Sequence, residues 1–271
     1  MSTRRRFSVV HAVRWATLAI VLLGMYAPVA MIFAYSIKPG KIGSARTGVS
    51  LDGYRALARN RGLWDAFQAS CAIGVITSTG SVAAGTLAAV GLARWRPRPR
   101  SAAKGLLALP LVVPDMILAI ALAILFHALQ VWQDWTTVAL AHCVFGISYA
   151  YVVLASAVSD LDDTLRLAAL DCGATPWQAF WRVTAPTLAP SLGVAWLLVF
   201  ALSFDDFLIT QMTKGPGSDT LPIKIFGQMR FGVRPETSAL FVLLFLATMC
   251  GAVIAGRLSR PEQFTSTDSY T

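Results

Sequence analysis

Charge is what this chain has least of. Only 14% of its 271 residues are Asp, Glu, Lys or Arg, against about a quarter in soluble domains, while 56% are hydrophobic. A soluble globular protein is excluded, because lipid rather than water has to solvate most of such a surface. Acids are scarcer still: 14 Asp and Glu stand against 23 Lys and Arg, for a formal net charge of +9. That excess is no nucleic-acid footprint, since the bases are scattered between apolar runs instead of gathering on one polar face. Cysteine is sparse too. Cys71, Cys143 and Cys250 fall in apolar runs and Cys172 in a polar loop, so no disulfide framework is implied. His11, His127 and His142 lack metal-ligand spacing and read as interfacial or hydrogen-bonded residues. There is no Gly-rich loop ending in Lys-Ser or Lys-Thr and no serine elbow. The chain is therefore expected to be a non-catalytic membrane protein that binds no metal, no cofactor and no nucleic acid, and no ATP through a P-loop of its own.

What it does have is long apolar runs. A membrane helix needs roughly 20 apolar residues, and five runs free of Asp, Glu, Lys and Arg are that long: Trp15–Ile37, Ala66–Ala93, Trp135–Ser159, Val183–Phe204 and Thr237–Gly256. A sixth, Gly105–Gln133, is interrupted by one acid, Asp115. The pattern predicts an all-α protein of six membrane-spanning helices. Arg4, Arg5 and Arg6 precede the first run as they would in a signal peptide, but the run is too long for an h-region and lacks a clear small-residue cleavage site. With the N-terminus inside, thirteen Lys and Arg lie on the cytoplasmic side and ten outside. That bias is weak, so the orientation leans on the first helix and on the WRPRPR loop after the second. Both termini are then cytoplasmic, giving a basic N-terminus at 1–14, a membrane domain at 15–257 and a tail at 258–271.

The most informative polar segment is DLDDTLRLAALDCGATPWQAFWRVTAPTLAP, from Asp160 to Pro190. Asp163 is placed to cap a short helix whose residues Leu165, Ala168, Ala169 and Cys172 fall on one face. Gly173 can end it by taking a positive φ. Thr175, Pro176 and Gln178 then form a capping box with proline in the first turn, and Trp177, Phe180 and Trp181 supply the apolar face of a second helix. Two readings of this helix pair stand: one lies on the lipid headgroups, the other is offered to a groove on a partner protein.

Here the residues resemble a family. Ala168, Ala169, Gly173, then Val183, Thr184, Ala185 and Pro186 have the spacing of the EAA loop of ABC-importer permease subunits, with Leu167 where the family has Glu and Ala185 where it has Leu. YAP at Tyr26–Pro28, LPLVVPDMILAIAL in the third run, SFDDFLIT at Ser203–Thr210 and GPGSDTLPIKIFGQMRFGVRPETSAL at Gly215–Leu240 are similar to the permeases of spermidine/putrescine importers, specifically the second of their two permeases. Related importers of aminoethylphosphonate, thiamine or ferric iron share parts of these patterns. The resemblance implies a heterodimeric pore in the bacterial inner membrane with a second homologous permease. It also implies two ATPase subunits that use ATP and Mg, an extracytoplasmic solute-binding protein and a small cationic solute. It makes 160–188 the coupling loop, with Ala168, Ala169, Asp171, Gly173, Ala174, Pro176, Trp177, Phe180 and Pro186 as contacts to the ATPase.

Three acids lie in or at the edge of apolar runs: Asp115, Asp205 and Asp206. A carboxylate at bilayer depth is costly unless it faces a cavity or a partner. Asp115 follows Pro110 and Pro114, each of which removes an N–H and can kink a helix. Asp205 and Asp206, being adjacent, point about 100° apart on a helix. For an ammonium-bearing solute these acids and the rings of Phe204 and Phe207 are candidate contacts. Alternatively they pair with Lys224, Arg230 or another subunit's charges and only shape a gate. Lys224 lies in the polar segment Lys214–Glu236, which opens with a Gly-Pro-Gly turn and is placed by the resemblance near the mouth of the pathway. Gly74, Ser78, Gly80, Ser81, Ala84 and Gly85 read as close helix packing. Two other classes remain open: an ion-coupled secondary transporter using Asp115 or Asp206, for which inverted repeats are not visible, and a membrane scaffold that only docks a partner.

Overall fold

The computed structural model describes residues 3–38, 48–94, 99–230, 232 and 234–258. Lys41, Arg46, Arg96, Arg98 and the tail from 259 onward lie outside the described residues. Among the described residues every regular element is helical: Thr3–Ser36 (α1), Asp52–Arg59 (α2), Arg61–Arg94 (α3), Arg100–Val112 (α4), Asp115–Ala128 (α5), Trp135–Ser159 (α6), Thr164–Asp171 (α7), Pro176–Ala179 (α8), a π turn at Phe180–Thr184, Ala185–Asp205 (α9), Leu208–Thr213 (α10), Leu221–Met229 (α11) and Pro235–Leu258 (α12).

Four helical stretches are long and apolar enough to cross a membrane: Val13–Ser36, Arg61–Arg94, Trp135–Ser159 and Pro176–Asp205. The third expected span, Gly105–Gln133, is not one helix. It breaks into α4 and α5, which are bent by 106°, and makes a fifth crossing if the pair is a single span. The cause is Pro114. The residue before a proline is driven out of the helical region, and Val113 accordingly sits at ψ 127. Pro110 lies inside α4 without ending it. The last expected span falls in α12, whose apolar part Pro235–Gly251 is shorter than the other four.

The chain divides into two compact units. The first holds α1, α2 and α12. Here α2 packs on α12 so closely that an added Cβ at Gly53 would lie 2.8 Å from the Pro235 carbonyl oxygen. Tyr54 donates to Ser36 Oγ at 3.1 Å, and Phe33 meets Phe245 edge to face at 5.6 Å. Most of the membrane-length stretch of α1 is exposed, its C-terminal end alone being packed, through Phe33 and the buried Ser36; the exposed apolar side chains are left to lipid or to another chain.

The second unit, Gly62–Gly227, is built on α3, α6 and α9. Val82 and Ala89 from α3, Ala150, Tyr151 and Leu154 from α6, and Ala195 and Val199 from α9 form one buried cluster. Gly74, Ser78, Ser81 and Gly85 of α3 are buried as expected, while Gly80 is exposed: a Cβ at Gly85 would meet Ala150 Cβ at 2.8 Å, and one at Gly74 the Phe200 ring at 2.9 Å. Thr77 donates to the Ala139 carbonyl at 3.4 Å and the Trp196 indole to Thr79 at 3.1 Å, tying α3 to α6 and α9. A second cluster joins Ala119, Leu122 and Phe126 of α5 with Ala141 and Phe145 of α6 and Ile209 of α10. Asp134, which separates the third run from α6, caps α6 in a box with Thr137. Within the polar segment after Lys214, α11 buries Leu221, Ile223 and Ile225.

Candidate functional site

The break before α5 and the break after α9 meet. Asp206 ends α9 because its backbone turns extended, at ψ 130. Its carboxylate then collects the first donors of α10: Oδ2 accepts from Thr210 N–H at 2.7 Å and from Thr210 Oγ1 at 2.9 Å. The same oxygen lies 3.2 Å from His142 Nε2. His142 comes from α6 and is fully buried, and its Nδ1 is 2.7 Å from Ser203 Oγ. Pro114 places Asp115 in the first turn of α5. Asp115 and Asp206 thereby line one small cleft of about 90 Å³ with Pro110, Leu111, Phe145, Tyr149, Leu202 and Ile209.

The other candidates lie elsewhere. Asp205 is exposed and does not line the cleft. Phe204 stacks on Phe200 at 5.8 Å and meets Phe67 edge-on at 6.0 Å, while Phe207 packs on Phe226 at 4.5 Å. Lys224 is 3.8 Å from Asp219, which also binds Lys214. For Asp206 the partners are thus His142 and Thr210, where the sequence suggested Lys224 or Arg230. In sequence, Ser203, Asp206 and Thr210 are polar residues spaced three and four apart, which marks one half of the network, while nothing local pairs them with His142.

The polar loop folds largely as its local chemistry dictates. α7 starts on Asp162, whose carboxylate accepts from Thr164 N–H at 2.9 Å. Asp163 holds the N-cap position but makes no side-chain cap. It binds Arg166 through two 2.6 Å bonds instead, and that guanidinium holds the Asp163 carboxyl below the usual carboxylate range. Gly173 ends the helix at φ +86, with Ala174 N–H on the Ala169 carbonyl at 3.0 Å and Gly173 N–H on the Leu170 carbonyl at 2.9 Å, a Schellman closure. Thr175 and Gln178 form the expected box: Gln178 N–H donates to Thr175 Oγ1 at 3.2 Å and Thr175 N–H to Gln178 Oε1 at 2.9 Å.

From Pro176 the chain continues as one helix to Asp205, through the π turn. Arg94, at the end of α3, donates to Thr184 in that turn at 3.0 Å. Ala169, Ala174 and Phe180 are half-buried, whereas Ala168, Asp171, Gly173, Pro176 and Pro186 are exposed. Leu165, Trp177 and Trp181 are 62%, 67% and 54% exposed. The helix face expected to be apolar is apolar, and nothing among the described residues covers it.

A helical membrane unit with a broken span and an uncovered helical loop is the architecture of an ABC-transporter permease. The chain superposes on a bacterial ABC transporter that imports the acidic polysaccharide alginate, with TM-score 0.72 and 16% identity over 95% of this chain and 98% of that one. An alginate transporter in complex with its pentasaccharide-bound periplasmic protein gives 0.71 at 14% identity, over 94% of this chain and 95% of that one. At such identities the likeness is one of fold. Sequence fixes the family: residues 81–260 match the binding-protein-dependent transport system inner membrane component, and the chain belongs to that family. Its relatives include the putrescine transport system permease protein PotI of Escherichia coli (strain K12), 37% identical over 237 residues and 84% of each chain. The spermidine/putrescine transport system permease protein PotC of the same strain is 28% identical over 88% of this chain and 90% of that one. The resemblance to polyamine-importer permeases is borne out at the level of family: this is a binding-protein-dependent transport permease.

Proposed function

We propose that the chain forms half of the translocation path for a polyamine such as putrescine or spermidine, in a heterodimer with a second homologous permease. Two ATPase subunits, which use ATP and Mg, dock on the loop at 160–188, and an extracytoplasmic binding protein delivers the solute. In this reading the chain crosses the bacterial inner membrane six times with both termini in the cytoplasm, the bent pair α4–α5 counting as one crossing. Residues 1–14 form the basic N-terminus, 15–257 the membrane domain and 258–271 the tail.

The observation that carries the substrate class is the cleft that joins Asp115 to Asp206. Two carboxylates lining one cleft between apolar and aromatic side chains suit an ammonium group of a linear amine. The names of the relatives point to the same cations. Closure of the ATPases would move the exposed face of α7 and α8, tilt the helix that follows, and switch the path between inward-open and outward-open states.

The test is uptake into vesicles holding all four kinds of subunit. Putrescine should enter only with hydrolysable ATP and Mg; uptake driven by a pH gradient alone would point to an ion-coupled transporter. In the same vesicles Asp206→Asn is expected to slow diamine uptake about tenfold or more, the scale of losing one charge-assisted hydrogen bond. An unchanged rate and half-saturation would remove Asp206 from the path.

A further inference from the structure

We infer that His142 is the positioning residue of the acidic cleft, acting on the solute only through Asp206. The inference rests on the reading of Asp206 as a path acid. Nε2 faces a carboxylate oxygen, which has no proton to give, so Nε2 carries an N–H whichever charge the ring holds and points it at Asp206 Oδ2, 3.2 Å away. The Thr210 hydroxyl lies 3.1 Å from the same nitrogen. Nδ1 is 2.7 Å from the Ser203 hydroxyl. The proton on Nε2 is assigned from the network. The ring is therefore held at both ends, and it is fully buried.

The consequence falls on the two oxygens of Asp206 unequally. Oδ2 is within reach of three donors, Thr210 N–H, Thr210 Oγ1 and His142 Nε2, at 2.7, 2.9 and 3.2 Å, one more than its two lone pairs. Among the described residues Oδ1 is approached only by Ile209 N–H, at 3.5 Å. Oδ1 is thus the oxygen with acceptor capacity left for a cation in the cleft. His142 itself does not line that cleft. Its ring lies against Phe145, centroids 5.3 Å apart, and Phe145 and Asp206 form the wall in front of it. A residue behind the wall that binds one oxygen of a wall carboxylate sets that carboxylate's rotamer. It does so without occupying the space where the ammonium sits.

Two amide side chains separate this role from a merely structural one. Gln reaches toward the position of Nε2 and can restore the bond to Asp206; Asn reaches only as far as Nδ1. The assembled importer, with its ATPases and binding protein, is reconstituted with putrescine as the probe, and rates are normalised to complex recovered by co-purification. His142→Asn should slow ATP-driven uptake about tenfold, and His142→Gln should restore most of the rate. The double variant His142→Asn/Asp206→Asn should be no slower than Asp206→Asn alone, because a residue acting through another is not additive with it.

Losses that multiply to about a hundredfold in the double variant, with Asp206→Asn itself impaired, would overturn the positioning role and leave the acidic path intact. Gln performing no better than Asn would overturn it as well. Wild-type uptake by Asp206→Asn would remove the path acid and, with it, this inference. Should His142→Asn fail to assemble, Ser203→Ala, which frees only the Nδ1 end of the ring, takes its place in the cycle with the same expected non-additivity.

Discussion

Replacing Gly173 by valine is expected to leave ATP hydrolysis running in the assembled importer while uptake falls about tenfold. Gly173 sits at φ +86 with no atom within 4 Å of an added Cβ, so the substitution meets no neighbour. Its whole effect is on the backbone. A β-branched residue in the left-handed region costs about 1–2 kcal/mol, comparable to what the Schellman closure supplies. The turn that orients α7 against α8 would open, and the exposed face with Leu165, Trp177 and Trp181 would lose its fixed shape. Gly173→Asn is the control, because Asn tolerates the same conformation and should keep most of the coupling. The two rates are read together, as phosphate release and labelled putrescine uptake in one vesicle preparation. Valine retaining wild-type uptake per ATP would show that this turn does not set the coupling geometry.

Gly215→Ala should have the largest effect on folding. An added Cβ there would fall on the Gln133 carbonyl oxygen, with the Gln133 carbon 2.6 Å and the Asp134 nitrogen 3.2 Å away. These are backbone atoms and cannot rotate aside. Asp134 is also the cap of α6, so relief of the clash displaces either that cap or the turn that leads to α11. A cost of about 2–3 kcal/mol, the upper range for overpacking, should appear as a lower melting temperature in detergent and a smaller yield of assembled complex. Gly193→Ala, in α9 with nothing within 4 Å of its added Cβ, should melt like the parent or slightly above it. Equal melting of the Gly215 and Gly193 variants would show that the two loops separate freely.

What could be read from sequence follows the range of the forces involved. Thr175, Gln178 and Gly173 were legible because a capping box and a positive-φ stop are settled within a few residues. Asp163 was misassigned within the same turn: two adjacent aspartates compete for the helix start, and Arg166, three residues on, takes Asp163 and leaves the cap to Asp162. Pro110 and Pro114 announced an irregularity in the third run, but a kink and a 106° break differ only by what packs around them. The segment after Lys214 looked like loop because it is polar. It carries α11, whose first N–H, on Leu221, meets the buried Ser70 hydroxyl at 2.8 Å, a partner on another helix. The pairing of His142 with Asp206 was out of reach for the same reason. Each was visible alone, and only the packing of α6 against α9 brings them together.

The helix from Pro176 to Asp205 has a mechanical meaning. It runs for 30 residues, roughly 45 Å at 1.5 Å per residue, with the uncovered loop face at one end and the Asp206 carboxylate immediately beyond the other. On the proposed function, the face that docks the ATPase and the cleft that takes the cation lie at the two tips of this one helix. A tilt of about 10° around its middle carries each tip some 4 Å in opposite directions, more than the length of a hydrogen bond. Within that rod the π turn at Phe180–Thr184, pinned by Arg94, lies beside the loop and far from the midpoint. In the proposed mechanism this helix is the direct physical link between the docked loop and the acidic cleft, with the π turn near one end and Pro190 near its middle.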